Sequence, residues 1–120
     1  MKPSTAKRKG QQTESALCAY LRARWGLPVE RRRLMGSADQ GDLSGWARVC
    51  VEVKSGAALA IPDWLRQTEV ERVNAGAEVG VLVIRPKGVT DPAQWWAVQP
   101  VEDWVRLART AGYVEGEPCS

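Results

Sequence analysis

Apolar positions recur along this chain with two different periods, and the switches between them mark out its elements. In residues 11–25, Leu17, Cys18, Leu21 and Trp25 fall at helical spacing and form one stripe. Gly26-Leu27-Pro28 then supplies a helix stop. Residues 29–35 read as a strand carrying Arg31, Arg32 and Arg33, and residues 36–40 as a polar loop. Residues 42–45 and 49–54 read as two strands joined through Trp46-Ala47-Arg48. Alternation in the second strand puts Val49, Val51 and Val53 on one face, and Cys50, Glu52 and Lys54 on the other.

A small-residue loop over 55–60 leads to Pro62, which suits the first turn of a helix running to about residue 74, with Gly76 as its stop. Residues 79–84 are an almost unbroken apolar run, the pattern of a buried central strand. Residues 85–88 are a turn and 95–98 a short strand. Pro100 opens a last helix to about residue 111, with Val101, Trp104, Val105 and Ala108 on one face. This order of helices and strands predicts a layered α/β domain over residues 11–120, preceded by an unstructured basic tail over 1–10.

Composition narrows the picture. A chain of 120 residues has room for one domain. There is no Phe, so six Trp carry most of the aromatic packing. Trp64, Trp95, Trp96 and Trp104 read mostly as core, although Trp95 and Trp96 cannot both face inward on one strand. Trp46, at a hairpin tip, suits either a subunit interface or stacking on a base. The chain has no His, and its three Cys, at 18, 50 and 119, form no Cys-x-x-Cys pair, which argues against structural zinc and against a disulfide framework. Cys18 and Cys50 lie in apolar patterns and read as small core residues. No apolar segment follows the basic start, and none is long enough to span a bilayer, so a reducing cytoplasm and no membrane partner are expected.

The net charge of +3 conceals an asymmetry. Residues 1–35 carry nine Lys/Arg against two acids, whereas the remaining 85 carry eight against twelve. A basic front end suits a polyanion through phosphate contacts and counterion release. Lys7, Arg8, Lys9, Arg31, Arg32 and Arg33 are the candidate contacts. The arginine run is also what keeps an edge strand soluble.

The chemistry concentrates in Gly41-Asp42 and Glu52-Val53-Lys54. With a hairpin register symmetric about Ala47, Asp42 faces Glu52, and one cation can touch both side chains. Two carboxylates so close repel unless a cation sits between them, and hard oxygen donors suit Mg²⁺ or Mn²⁺. A carbonyl from Val53 could add a ligand. Such a cation activates water and polarises a phosphate oxygen, with Lys54 orienting the water or stabilising the developing charge. A bare Glu-x-Lys on a strand is more often a solvated salt bridge, and it is the preceding Gly-Asp that changes the odds. Glu14 lies on the apolar stripe of the first helix, where a carboxylate is costly without a partner, although an acid early in a helix also suits the macrodipole. The amide of Gln67, on the helix after the Lys54 strand, could bond a phosphate or the Lys54 region. Ser37 and Asp39 read as turn-shaping residues.

This set, Glu14 on the first helix, Gly41-Asp42, Glu52-Val53-Lys54 and then Gln67, resembles the PD-(D/E)xK nuclease superfamily, and within it the small Holliday junction resolvases of archaea and their phage-borne relatives. The resemblance spans residues 11–100. It implies a restriction-endonuclease-like central mixed sheet flanked by helices, a homodimer, Mg²⁺ dependence and cutting of four-way DNA junctions. It assigns Asp42 and Glu52 as metal ligands, Lys54 as the catalytic lysine and Glu14 as the helix-borne acid. The superfamily's Pro before the Asp is Gly41 here, a departure shared by the resolvase branch. Repair and restriction nucleases have the same core, and a non-catalytic DNA-binding module that keeps the fold is a further alternative.

Overall fold

The computed structural model describes residues 5–32, 40–56 and 59–119. Arg33, Ser37 and Asp39 lie outside them, as do residues 33–35 of the expected first strand. Helix α1 (Thr5–Trp25) begins well before residue 11, so residues 5–10 of the expected tail are helical. Lys and Arg lose little rotamer freedom in a helix, and the Thr13 hydroxyl fastens this first part by donating to the Lys9 carbonyl at 2.9 Å. Gly26, at φ +68, ends the helix as expected.

Strands β1 (Glu30–Arg31) and β2 (Leu43–Ser44) pair antiparallel. β3 (Val49–Ser55) runs parallel to β4 (Val79–Arg85), which pairs antiparallel with β5 (Trp96–Val98). The mixed three-stranded sheet therefore has the order β3-β4-β5. The apolar run at 79–84 is its central strand, with Leu82 and Ile84 fully buried. Helix α2 (Ile61–Ala75) is the crossover between the parallel strands, with Pro62 in its first turn and Gly76 in the left-handed conformation at its end. A 3₁₀ turn (Pro92–Gln94) precedes β5, and α3 (Val101–Thr110) follows it. The chain is a single α/β domain whose sheet is flanked by helices. No helix among the described residues is long and apolar enough to cross a membrane.

The expected hairpin of 42–45 with 49–54 is corrected. β2 makes its ladder with β1, and its neighbourhood meets β3 through a main-chain bond from Asp42 N–H to the Val51 carbonyl at 2.9 Å. The link is possible because Gly41 has φ +92 and passes so close to β3 that a Cβ there would lie 2.8 Å from Cys50 Sγ and 3.1 Å from the Val51 carbonyl oxygen. Gly41→Ala is therefore expected to lower stability by roughly 2–4 kcal/mol. Urea unfolding measures this, and a transition superimposable on that of the parent protein would refute the close approach.

One face of β3 packs Val51 and Val53 against Leu17 and Cys18 of α1, with Val29, Leu43 and Trp95 completing the core. Cys18 and Cys50 are buried, as their patterns predict. The other face of β3 does not project into solvent. It turns Glu52 toward α2, whose Thr68 and Glu71 are buried. The tryptophans depart from expectation. Trp95 is buried and donates its indole N–H to the Val89 carbonyl at 2.9 Å, and Trp64 is half-buried. Trp96 and Trp104 are exposed, as is Trp25 at the end of its stripe. The ten-residue α3 has an apolar stripe, but no residue of it is buried. Between α3 and the sheet lies an apolar groove of about 710 Å³, lined by Trp46, Val49, Val79, Val81, Trp104 and Leu107 among others.

Candidate functional site

β3 is an edge strand, and an edge leaves main-chain groups to be satisfied by something other than a ladder. Asp42 does so twice, through its own N–H to the Val51 carbonyl and through Oδ2, which accepts the Val53 N–H at 2.7 Å. The carboxyl of Asp42 is thereby pinned beside the strand that carries Glu52 and Lys54. In a strand the N–H and C=O of one residue point to the same side, so the Val53 carbonyl faces this edge too. From α1, Glu14 reaches Asp42 at hydrogen-bonding separation. The result is a cavity of about 270 Å³ lined by Glu14, Asp42, Glu52, Val53, Lys54 and residues near them. It opens beside a wider cleft of about 680 Å³ that adds Lys7, Gln11, Arg31, Arg32 and Gln67.

The electrostatics follow from burial. Glu52 is 3% exposed. Its carboxyl lies at hydrogen-bonding separation from both Glu71 and Asp42, which demands a shared proton or an intervening cation. Burial first, then these two neighbours, push its pKa up to about 11. Burial and the Asp42 charge raise Glu14 to about 7 against the opposing pull of Arg31 and Lys54. Lys54 Nζ stands 3.6 Å from Glu52 Oε1, and Arg31 Nε 3.5 Å from Glu14 Oε2. No N–H or O–H among the described residues reaches Glu52 Oε2.

That buried, undonated carboxylate oxygen next to a second carboxyl fits a hard divalent cation. Among the described residues no three acidic, His or Cys side chains form a ready-made cage. Mg²⁺ does not need one: it keeps several waters and takes one or two carboxylates plus phosphate oxygens. Asp42 and Glu52, with the Val53 carbonyl, are the donors such an ion would use.

The remaining expected site residues divide. Gln67 lines the wide cleft, and its amide Nε2 donates to Glu71 Oε1 at 2.9 Å. Lys7, Arg8 and Lys9 are exposed on the first turns of α1. Arg31 is engaged with Glu14, yet still lines the cleft. Arg32 lines the cleft too, but its guanidinium donates to Gln40 Oε1 and the Leu43 carbonyl, both at 3.2 Å, which is a structural use of those donors. Glu71 is the residue that sequence reasoning passes over. Its signal is present in the chain: Trp64, Thr68, Glu71 and Ala75 fall on one helical stripe, so an acid stands where the helix meets the sheet, the same anomaly that singles out Glu14.

No protein-family model, curated protein or solved structure matches the chain.

Proposed function

We propose that the chain is a metal-dependent endodeoxyribonuclease with a restriction-endonuclease-like core, acting on branched DNA of the four-way-junction type. The observation that carries this reading is the convergence of Glu14, Asp42, Glu52 and Lys54, from three separate segments, on one small cavity beside a wider cleft that Lys7 and Arg31 also line. The resemblance of the same residues, in the same order, to PD-(D/E)xK nucleases supports it. When bound, Mg²⁺ or Mn²⁺ supplies Lewis-acid activation of water and of the scissile phosphate. Asp42 and Glu52 would hold that ion. The Lys54 ammonium, tethered to Glu52, stabilises charge developing on the phosphate and orients the attacking water. Glu14 holds Arg31 at the cleft wall, and the basic first turns of α1 take up phosphates on either side.

Junction cleavage needs two sites acting on opposite strands, hence a homodimer. The apolar groove beneath α3, with Trp104 62% exposed, supports pairing with a second copy, since exposed apolar area of this kind marks interfaces.

The test is a cleavage panel of four-way junction, flap, single-stranded and linear duplex DNA, with Mg²⁺ and with EDTA. The expected result is Mg²⁺-dependent nicking of the junction well above the other substrates. Equal cutting of linear duplex would remove the junction preference and leave a nuclease of the repair or restriction kind. Metal-independent binding with no cutting of any substrate would overturn the enzyme reading.

A further inference from the structure

We propose that Glu71 of α2, held by Gln67, is the positioning residue that fixes the Glu52 carboxyl at the candidate metal site. The inference rests on the nuclease reading above. Glu71 is 1% exposed and lines neither the small cavity nor the wide cleft, so it does not touch a substrate there. It lies instead buried beside Glu52, at hydrogen-bonding separation from that carboxyl.

Gln67 stands one helical turn earlier, where i and i+4 side chains meet, and its Nε2 donates to Glu71 Oε1 at 2.9 Å. The relay therefore runs from the cleft wall through Gln67 and Glu71 to Glu52. Gln67 acts on Glu52 through Glu71.

Burying an acid on the sheet-facing side of a helix is costly, and an apolar residue would pack the same space. The cost is explicable if Glu52 needs a fixed hydrogen-bonding neighbour. Asp42 and Lys54 also stand against Glu52, but their own positions depend on a loop and on a long flexible stem. A helix-borne partner removes one rotational freedom from the ligand, and residues that orient metal ligands are typically worth about 10- to 100-fold in metal affinity.

The experiment titrates the full chain with Mn²⁺, followed by electron paramagnetic resonance of free Mn²⁺, for the parent protein, Glu71→Gln, Glu71→Leu and Gln67→Leu, with thermal melts of each. Glu71→Gln keeps the size and a hydrogen bond to Glu52 and is expected to retain affinity within about threefold. Glu71→Leu fills the space without the hydrogen bond and is expected to lose about 10- to 100-fold while melting no lower than the parent. Gln67→Leu is expected to fall between them, and decides the matter if Glu71→Leu does not fold. Parent-like Mn²⁺ affinity in Glu71→Leu or, failing its folding, in Gln67→Leu overturns the positioning role alone. Equal losses in Glu71→Gln and Glu71→Leu also overturn it, because charge and not position would then be the requirement. Absence of Mn²⁺ binding in the parent overturns the nuclease reading and this proposal together.

Discussion

Asp42→Asn and Glu52→Gln are each expected to lower Mg²⁺-dependent junction cleavage by at least about 10³-fold, since an ion held by two carboxylates contributes several kcal/mol to the transition state and each 1.4 kcal/mol is tenfold in rate. Both substitutions are nearly isosteric. The side-chain carbonyl that Asp42→Asn leaves in place can still accept the Val53 N–H that Asp42 Oδ2 receives at 2.7 Å, so the edge of β3 keeps its partner. Glu52→Gln replaces a carboxyl that already favours its neutral form at neutral pH when no cation is present. Fold and stability should therefore survive, which thermal melts verify. Binding to the junction, measured in Ca²⁺ or EDTA, is expected to stay within a few-fold of the parent, because removing negative charge near phosphates does not weaken electrostatic attachment. Cutting retained in either variant would exclude the acid pair as the ion's anchor.

The second large effect is on stability in metal-free buffer. Glu52 and Glu14 titrate near 4.5 in the unfolded chain, but at about 11 and about 7 in the folded protein. For such raised groups the folded state binds more protons, so the slope of unfolding free energy with pH is negative. The stabilisation is complete below pH 4.5. It is lost as pH rises, through about 7 for Glu14 and progressively toward 11 for Glu52. Burial drives the effect first, then Asp42 and Glu71, while Lys54 and Arg31 oppose it at Glu14. Since the Glu14 carboxyl partly reaches water its share is screened, and the fall between pH 5 and pH 8 is expected to be on the order of 2–4 kcal/mol, or on the order of 10 °C in Tm. At pH 8, Mg²⁺ at 100 times its Kd is expected to restore about 2.7 kcal/mol by binding only the folded form. Scanning calorimetry with EDTA and with Mg²⁺ at both pH values measures the two effects. A Tm that does not fall with pH, or that ignores Mg²⁺ at pH 8, contradicts the crowding of these carboxyls.

The two expected results share a cause that the chain displays in part. The Leu17/Cys18 stripe, the apolar run at 79–84, Pro62 and Gly76 mark α1, β4 and α2 correctly because each depends on local periodicity and on backbone preferences of single residues. The start of α1 at Thr5 escapes such reading because a basic stretch suggests solvation, although Lys and Arg are also good helix formers. The outward Trp96 and Trp104 escape it because an amphipathic pattern shows which face is apolar and not whether anything covers it.

At the site, Glu14 is legible as an acid on an apolar stripe, and Asp42, Glu52 and Lys54 as two acids and an amine at hairpin spacing. The route by which they meet is not. A hairpin register suggests that Asp42 opposes Glu52 across a ladder, whereas Asp42 approaches the open edge of β3 from a segment that ladders with β1. Glu71 joins the group only through the parallel crossover that lays α2 over β3 and β4.

Sequence by itself determined most of the element types, the charge asymmetry and most of the residues gathered at the site, because these depend on side-chain identity and on periods of 3.6 and 2.0. Tertiary structure decided which carboxyls are crowded together, that the Arg32 guanidinium donates to Gln40 and to the Leu43 carbonyl, and that Glu71 neighbours Glu52. Such facts arise from strand order and from the close approach allowed at Gly41, contacts between segments remote along the chain, on which local pattern carries no information.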